Sequence, residues 1–256
     1  MSVINDYSEK KSSPASRNSA LIAGAGLLAM AVLGGVAIIG GLDRLIDQSS
    51  VVQTLSNLTS QPDRFRWASL SVLTVAILDV VVALALWVYF RPASPSLAGA
   101  TAILRIVYAG VFFFAIFQLF EIWPYLATAI SDADHGRIVF DKALRFYLIW
   151  DLGLGVFGLH LVLLGVLAIV APYTPKWIGA LLIIAGLGYA IDMLDSAVFT
   201  DRIPNVSTVT FVGEIVFMLW LLFLGRNAKA FPGQVCAVGR PEMRKNKDLK
   251  RLPDSD

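Results

Sequence analysis

Eight ionisable side chains stand inside long apolar runs of this chain: Asp79, Arg105, Glu121, Asp151, His160, Asp192, Asp195 and Glu214. His160 is the sharpest case, set in GVFGLHLVLLG (155–165) with no polar residue within four positions on either side. Carboxylates in such places attract cations or protons, a histidine carries a proton or ligates a metal, and an arginine demands a counter-charge. Helical phase sorts them. Asp192 and Asp195 are three apart and share a face with Gly188, where a neighbouring helix can come close. Asp151 and His160 are nine apart, about half a turn out of phase. Arg105 and Asp79 are expected to neutralise each other, and His160 is expected to bond a carboxylate, Asp192 or Glu214.

The elements that must position these groups are long helices. Residues of the AVILMFWYC set make up 57% of the 256 positions and charged residues only 16%, against about 45–50% and about 25% in soluble domains. Six runs, at 19–42, 67–90, 98–123, 146–171, 176–199 and 207–225, are long enough to cross roughly 30 Å of hydrocarbon. The fold class is therefore all-α, a polytopic integral membrane protein with a bundle of six transmembrane helices. Residues 1–18 form a polar N-terminus, 19–226 the transmembrane domain and 227–256 a basic tail. The alternating strands of a membrane barrel are absent. The first run is too long for a signal-peptide core and is expected to stay as a helix.

Lysine and arginine counts set the orientation. Thirteen fall on the side of the termini and seven on the other, so both termini are expected in the cytoplasm of a cell membrane. The loops 43–66 and 124–145 then face outward, and the inner turns are marked by Pro92, Pro95, Pro172 and Pro175. Residues 50–58 read equally as a short amphipathic helix or a solvated loop. Counted from the outer ends, Glu121 and Asp195 lie about 5 Å deep, Asp192 and Glu214 about 10 Å, Asp79 about 18 Å and His160 about 21 Å. Arg105 comes to the same middle layer, below a column of carboxylates.

Other signals are weaker. Cys236 is the sole cysteine, so no intramolecular disulfide forms. Asn57 and Asn205 open Asn-x-Ser/Thr triplets, and Ala31…Gly35 and Gly186…Ala190 carry the small-residue spacing of packing seams. DADHG (132–136) lacks the glutamate of a calcium loop, since Ala143 stands at its twelfth position. No metal or other cofactor and no nucleic-acid partner is expected. The tail from Arg226 to Arg251 carries eight basic residues and is expected to meet anionic lipid headgroups.

Several phrases in order, YFRPAS, FGLHLVLLGVL, PKWIGALLIIAGLGYAIDMLDS and VGEIVFMLWLLFLG, resemble a bacterial multi-pass membrane family, domain of unknown function 4386. The resemblance spans 19–226 and implies a membrane location and a helical bundle. It also implies that His160, Asp192 and Glu214, with Asp79 and Arg105, stand at the family's polar positions. Three functions remain open. One is an acidic cavity binding or transporting a small cationic solute or protons. Another is a structural or accessory subunit whose polar groups only set packing. The third is a metal-assisted hydrolase using His160, Asp192 and Glu214, disfavoured because one intramembrane histidine is poor zinc chemistry. An enzyme is the lesser expectation.

Overall fold

A computed structural model of the chain describes residues 14–127, 133–199 and 206–225. Among the described residues all regular structure is helical and there is no strand. Helix α1 (Pro14–Ala37) passes through a π-helical turn, Ile38–Leu42, into α2 (Asp43–Leu45). Then follow α3 (Val51–Ser60), α4 (Pro62–Phe90), α5 (Pro95–Phe120), α6 (Trp123–Ala127) and α7 (Ala133–Val170). Helix α8 (Lys176–Leu194) ends in a second π-helical turn, Asp195–Phe199, and α9 (Ser207–Thr210) leads into α10 (Val212–Phe223).

Among the described residues five segments are long and apolar enough to cross a membrane: Arg17–Leu45, Pro62–Phe90, Pro95–Leu126, Asp134–Val170 and Lys176–Ala197; Ser207–Phe223 is apolar but shorter. The helices overrun several expected ends. α1 begins at Pro14 rather than 19, α4 at Pro62 rather than 67, and α5 at Pro95 rather than 98. Proline at the first helical turn loses no bond there, so Pro62 and Pro95 start helices that hydropathy alone starts later. The largest correction is at 124–145, where a loop was expected. α6 and the first turns of α7 fill most of it, because charges at 133–145 solvate a helix as readily as a loop. α7 has 38 residues, about 57 Å, and so extends well past the hydrocarbon. The basic tail, Cys236 and Asn205 lie outside the described residues.

Short caps and turns fix the ends. Ser50 accepts from Gln53 N at 3.2 Å and starts α3, so 51–60 is a helix rather than a loop. Ser94 accepts from Leu97 N at 3.4 Å and starts α5. A π-helical turn frees carbonyls, and Arg64 donates Nε to that of Gly40 at 3.1 Å.

The long helices close into a ring in chain order, α1–α4–α5–α7–α8–α10 and back to α1. In lipid no hydrophobic force separates helix from solvent, so close packing must hold the ring. The α7–α8 seam is the tightest part. A methyl on Gly165 would lie 2.5 Å from the Gly179 carbonyl oxygen, and one on Gly158 would lie 2.6 Å from that of Gly186. Both glycine pairs are seven apart, a repeat that keeps one face inward over two turns. Gly186 is thus part of a seam as expected, but Gly35 is not: nothing lies within 4 Å of a methyl placed there. Trp67 is 70% exposed near one end of α4 and Trp87 is 39% exposed near the other. Twenty residues separate them, about 30 Å, which matches an interfacial tryptophan at each face of a bilayer. The two ends of the bundle are called here the α3 end and the Arg91 end.

Candidate functional site

The middle layer is built from three helices. Asp79 on α4, Arg105 on α5 and His160 on α7 are each 1% exposed. Arg105 Nη2 lies 2.7 Å from Asp79 Oδ1, so the two charges cancel. Arg105 Nη1 lies 3.3 Å from His160 Nε2, and His160 Nδ1 lies 2.8 Å from the Thr101 carbonyl oxygen. A carbonyl can only accept, so Nδ1 carries the proton and Nε2 accepts from the guanidinium. That fixes a neutral imidazole. Phe157 backs the layer, with its ring centroid 5.3 Å from Arg105 Cζ and 5.7 Å from the His160 ring.

The expected bond from His160 to a carboxylate is therefore corrected. Its partners are Arg105 and the Thr101 carbonyl, because α7 packs on α5 at this level and both ring nitrogens are spent there. Asp192 is spent as well. Its two oxygens accept from Val206 N and Ser207 N at 2.7 and 2.8 Å, clamping the start of α9. Helix starts have unbonded N–H groups, and here a carboxylate from another helix takes two of them. Thr210 on α9 packs against Gly188, the close approach that its lack of a side chain invites.

A recess of about 300 Å³ lies beside this layer and is lined from all six long helices. Arg105 and Glu214 are its charged residues, and Tyr108, Trp150, Phe157, Tyr189 and Phe211 supply aromatic wall. Glu214 Oε1 is buried there with no hydrogen-bond partner. A second space of about 570 Å³ lies nearer α3 and shares Trp150 and Leu154 with the first. Among the described residues Asp43, Asp151 and Asp192 line it. Tyr147 donates to Asp43 Oδ1 at 2.9 Å. Asp43 also borders a shallower space with Asp47, whose carboxyl is held below its usual range by hydrogen bonds from Ser49.

The remaining expected residues lie apart. Glu121 pairs with Lys142 at 2.9 Å, tying the end of α5 to α7. Asp195 is 5% exposed at the start of the second π-helical turn and lines neither space. Asp134, His135 and Gly136 form part of the first turns of α7.

The order and spacing of these residues across the whole ring can be compared with other proteins. The family model described as Domain of unknown function (DUF4386) matches residues 22–225. The chain belongs to this family. It is also similar to a protein of the archaeon Archaeoglobus fulgidus, described as uncharacterized, at 36% identity over 160 residues. That alignment covers 62% of this chain and 85% of the relative. No solved structure matches.

The DUF4386 match contains all of the ring but the start of α1, and every residue of both spaces. Several of those residues escaped sequence reasoning. Tyr147 stands four before Asp151, which the sequence did single out, and lines the same space, so its spacing was readable. Tyr189 stands three before Asp192 and was equally accessible. Asp43 was not, since its tyrosine partner is more than a hundred positions away.

Proposed function

We propose that the protein is a six-span membrane protein that binds a small cationic solute, drawn in through the carboxylate-lined vestibule and held beside Glu214. The observation that carries this reading is that the two spaces are neighbours, with Trp150 and Leu154 lining both. Among the described residues the vestibule is lined by three carboxylates, and a low-dielectric wall strengthens the field of such charges. The inner recess offers a carboxylate among aromatic faces, which favours a cation over an anion or a neutral solute. The neutral Asp79–Arg105–His160 layer serves as a packing lock beneath it, so a structural role for that layer and binding at Glu214 coexist. Metal hydrolysis is the poorer reading, because neither nitrogen of His160 is free for a ligand.

In this reading Ser207–Phe223 is the sixth crossing, both termini are cytoplasmic in the cell membrane, and the α3 end faces outward. The basic tail, 227–256, is taken to meet anionic headgroups. The test is titration calorimetry of purified protein in nanodiscs with n-butylammonium chloride and with sodium butyrate. The amine is expected to bind and butyrate not, and Glu214→Gln should weaken the amine more than about tenfold. Equal affinity for amine and butyrate would remove the reading.

A further inference from the structure

Two residues lining the inner recess each have a buried polar atom with no hydrogen-bond partner: Arg105 Nε, a donor, and Glu214 Oε1, an acceptor. They do not satisfy each other, since the ion pair of Arg105 is with Asp79. Buried polar groups of this kind are uncommon, and each calls for a partner. The recess thus lacks one acceptor and one donor.

The charges decide the kind of molecule that supplies both. Asp79 cancels Arg105 and His160 is neutral, so an ionised Glu214 leaves the recess with one net negative charge. A ligand carboxylate facing Arg105 would add a second negative charge to a guanidinium already paired. A neutral acceptor would not. We propose, resting on the cation reading above, that the recess takes a primary ammonium compound carrying an ether, hydroxyl or carbonyl oxygen on a short chain from its nitrogen. The ammonium donates to Glu214 Oε1 and the oxygen accepts from Arg105 Nε. Tyr108, Phe157 and Tyr189 also line the recess, and a space of about 300 Å³ admits only a small solute.

Two amines of equal length test this: 2-methoxyethylamine and n-butylamine, in which an ether oxygen replaces one methylene. Both are titrated calorimetrically into the full chain in nanodiscs at neutral pH. An apolar pocket alone favours n-butylamine, so a preference for the ether is diagnostic. The expected result is that 2-methoxyethylamine binds about tenfold tighter to the wild type. Arg105→Lys keeps a positive charge opposite Asp79 but has no Nε, and should bind both amines alike. Equal binding by the wild type, or a preference that survives Arg105→Lys, overturns the proposal while the cation reading stands. Failure of both amines to bind the wild type overturns both. Where Arg105→Lys does not fold, the wild-type pair decides alone.

Discussion

At the Arg91 end of the bundle Tyr89, Phe90, Tyr173, Phe217 and Trp220 knit α4, the α7–α8 turn and α10 together, while at the α3 end three aspartates line an open space. The aromatic rings sit 4.9–6.3 Å apart, in contact range for stacked and edge-on pairs. Their polar tips are satisfied by backbone: Tyr173 donates to the Tyr89 carbonyl at 3.0 Å and Tyr89 to that of Gly225 at 3.1 Å. The aspartates at the other end are also tied, Asp43 by Tyr147 and Asp192 by two amides, yet about 570 Å³ remains between them. One end uses bulk to fill space, and the other uses hydrogen bonds to hold space open. Between them lies a neutral polar layer that both ends need in place.

That middle layer gives the largest expected effect. Arg105→Leu leaves the Asp79 carboxylate buried without its counter-charge and should destabilise by about 3–5 kcal/mol. Replacing both, Asp79→Leu with Arg105→Leu, should recover most of the loss, since a packed apolar pair is no worse than a buried ion pair. Denaturant titration in mixed micelles reads both. Additive losses would mean that the two residues do not lock the ends together.

Glycine substitutions probe how rigid each end is. Gly165→Ala, toward the Arg91 end, forces a methyl against the Gly179 carbonyl, and two backbones must part; about 1–3 kcal/mol is expected. Gly155→Ala, toward the α3 end, meets only the Met193 side chain, whose Cε at 2.7 Å can swing away. Its cost should fall well below that of Gly165→Ala in the same titrations. Equal costs would contradict a tight end and an adaptable one. Smaller again is Tyr89→Phe, which leaves the ring in place and removes only the bond to the Gly225 carbonyl, about 1 kcal/mol.

The sequence carried the helical class, the membrane character and the Asp79–Arg105 pair, because each follows from a local sum: apolar length, or a charge that must be cancelled. Partners set by ring closure were beyond it. His160 was expected to reach a carboxylate, but the nearest acceptor in the folded ring is the carbonyl of Thr101 on α5, a group every residue carries and no sequence pattern advertises. Asp192 looked like a site residue for the same reason. Its partners are the amides of Val206 and Ser207, visible only once α9 is folded back against α8. The start of α7 was missed because charged residues hide a helix that continues past the bilayer.

The smallest expected effect falls on the α3 end. Asp43 is exposed and borders both the vestibule and the shallower space beside it. Asp43→Asn keeps an oxygen for the Tyr147 hydroxyl, so stability should change by less than about 0.5 kcal/mol. What it removes is one negative charge at the mouth. Charged rims mainly set the rate at which an oppositely charged solute arrives, and salt screens them. Stopped-flow association of 2-methoxyethylamine should therefore slow in Asp43→Asn at low ionic strength and match the wild type near 1 M salt, where the Debye length is about 3 Å. Tyr173→Phe, at the closed end, should leave the rate unchanged at every salt concentration. A rate deficit for Asp43→Asn that persists in high salt would point to lost contact rather than lost field, and would place Asp43 in the binding site instead of at its entrance.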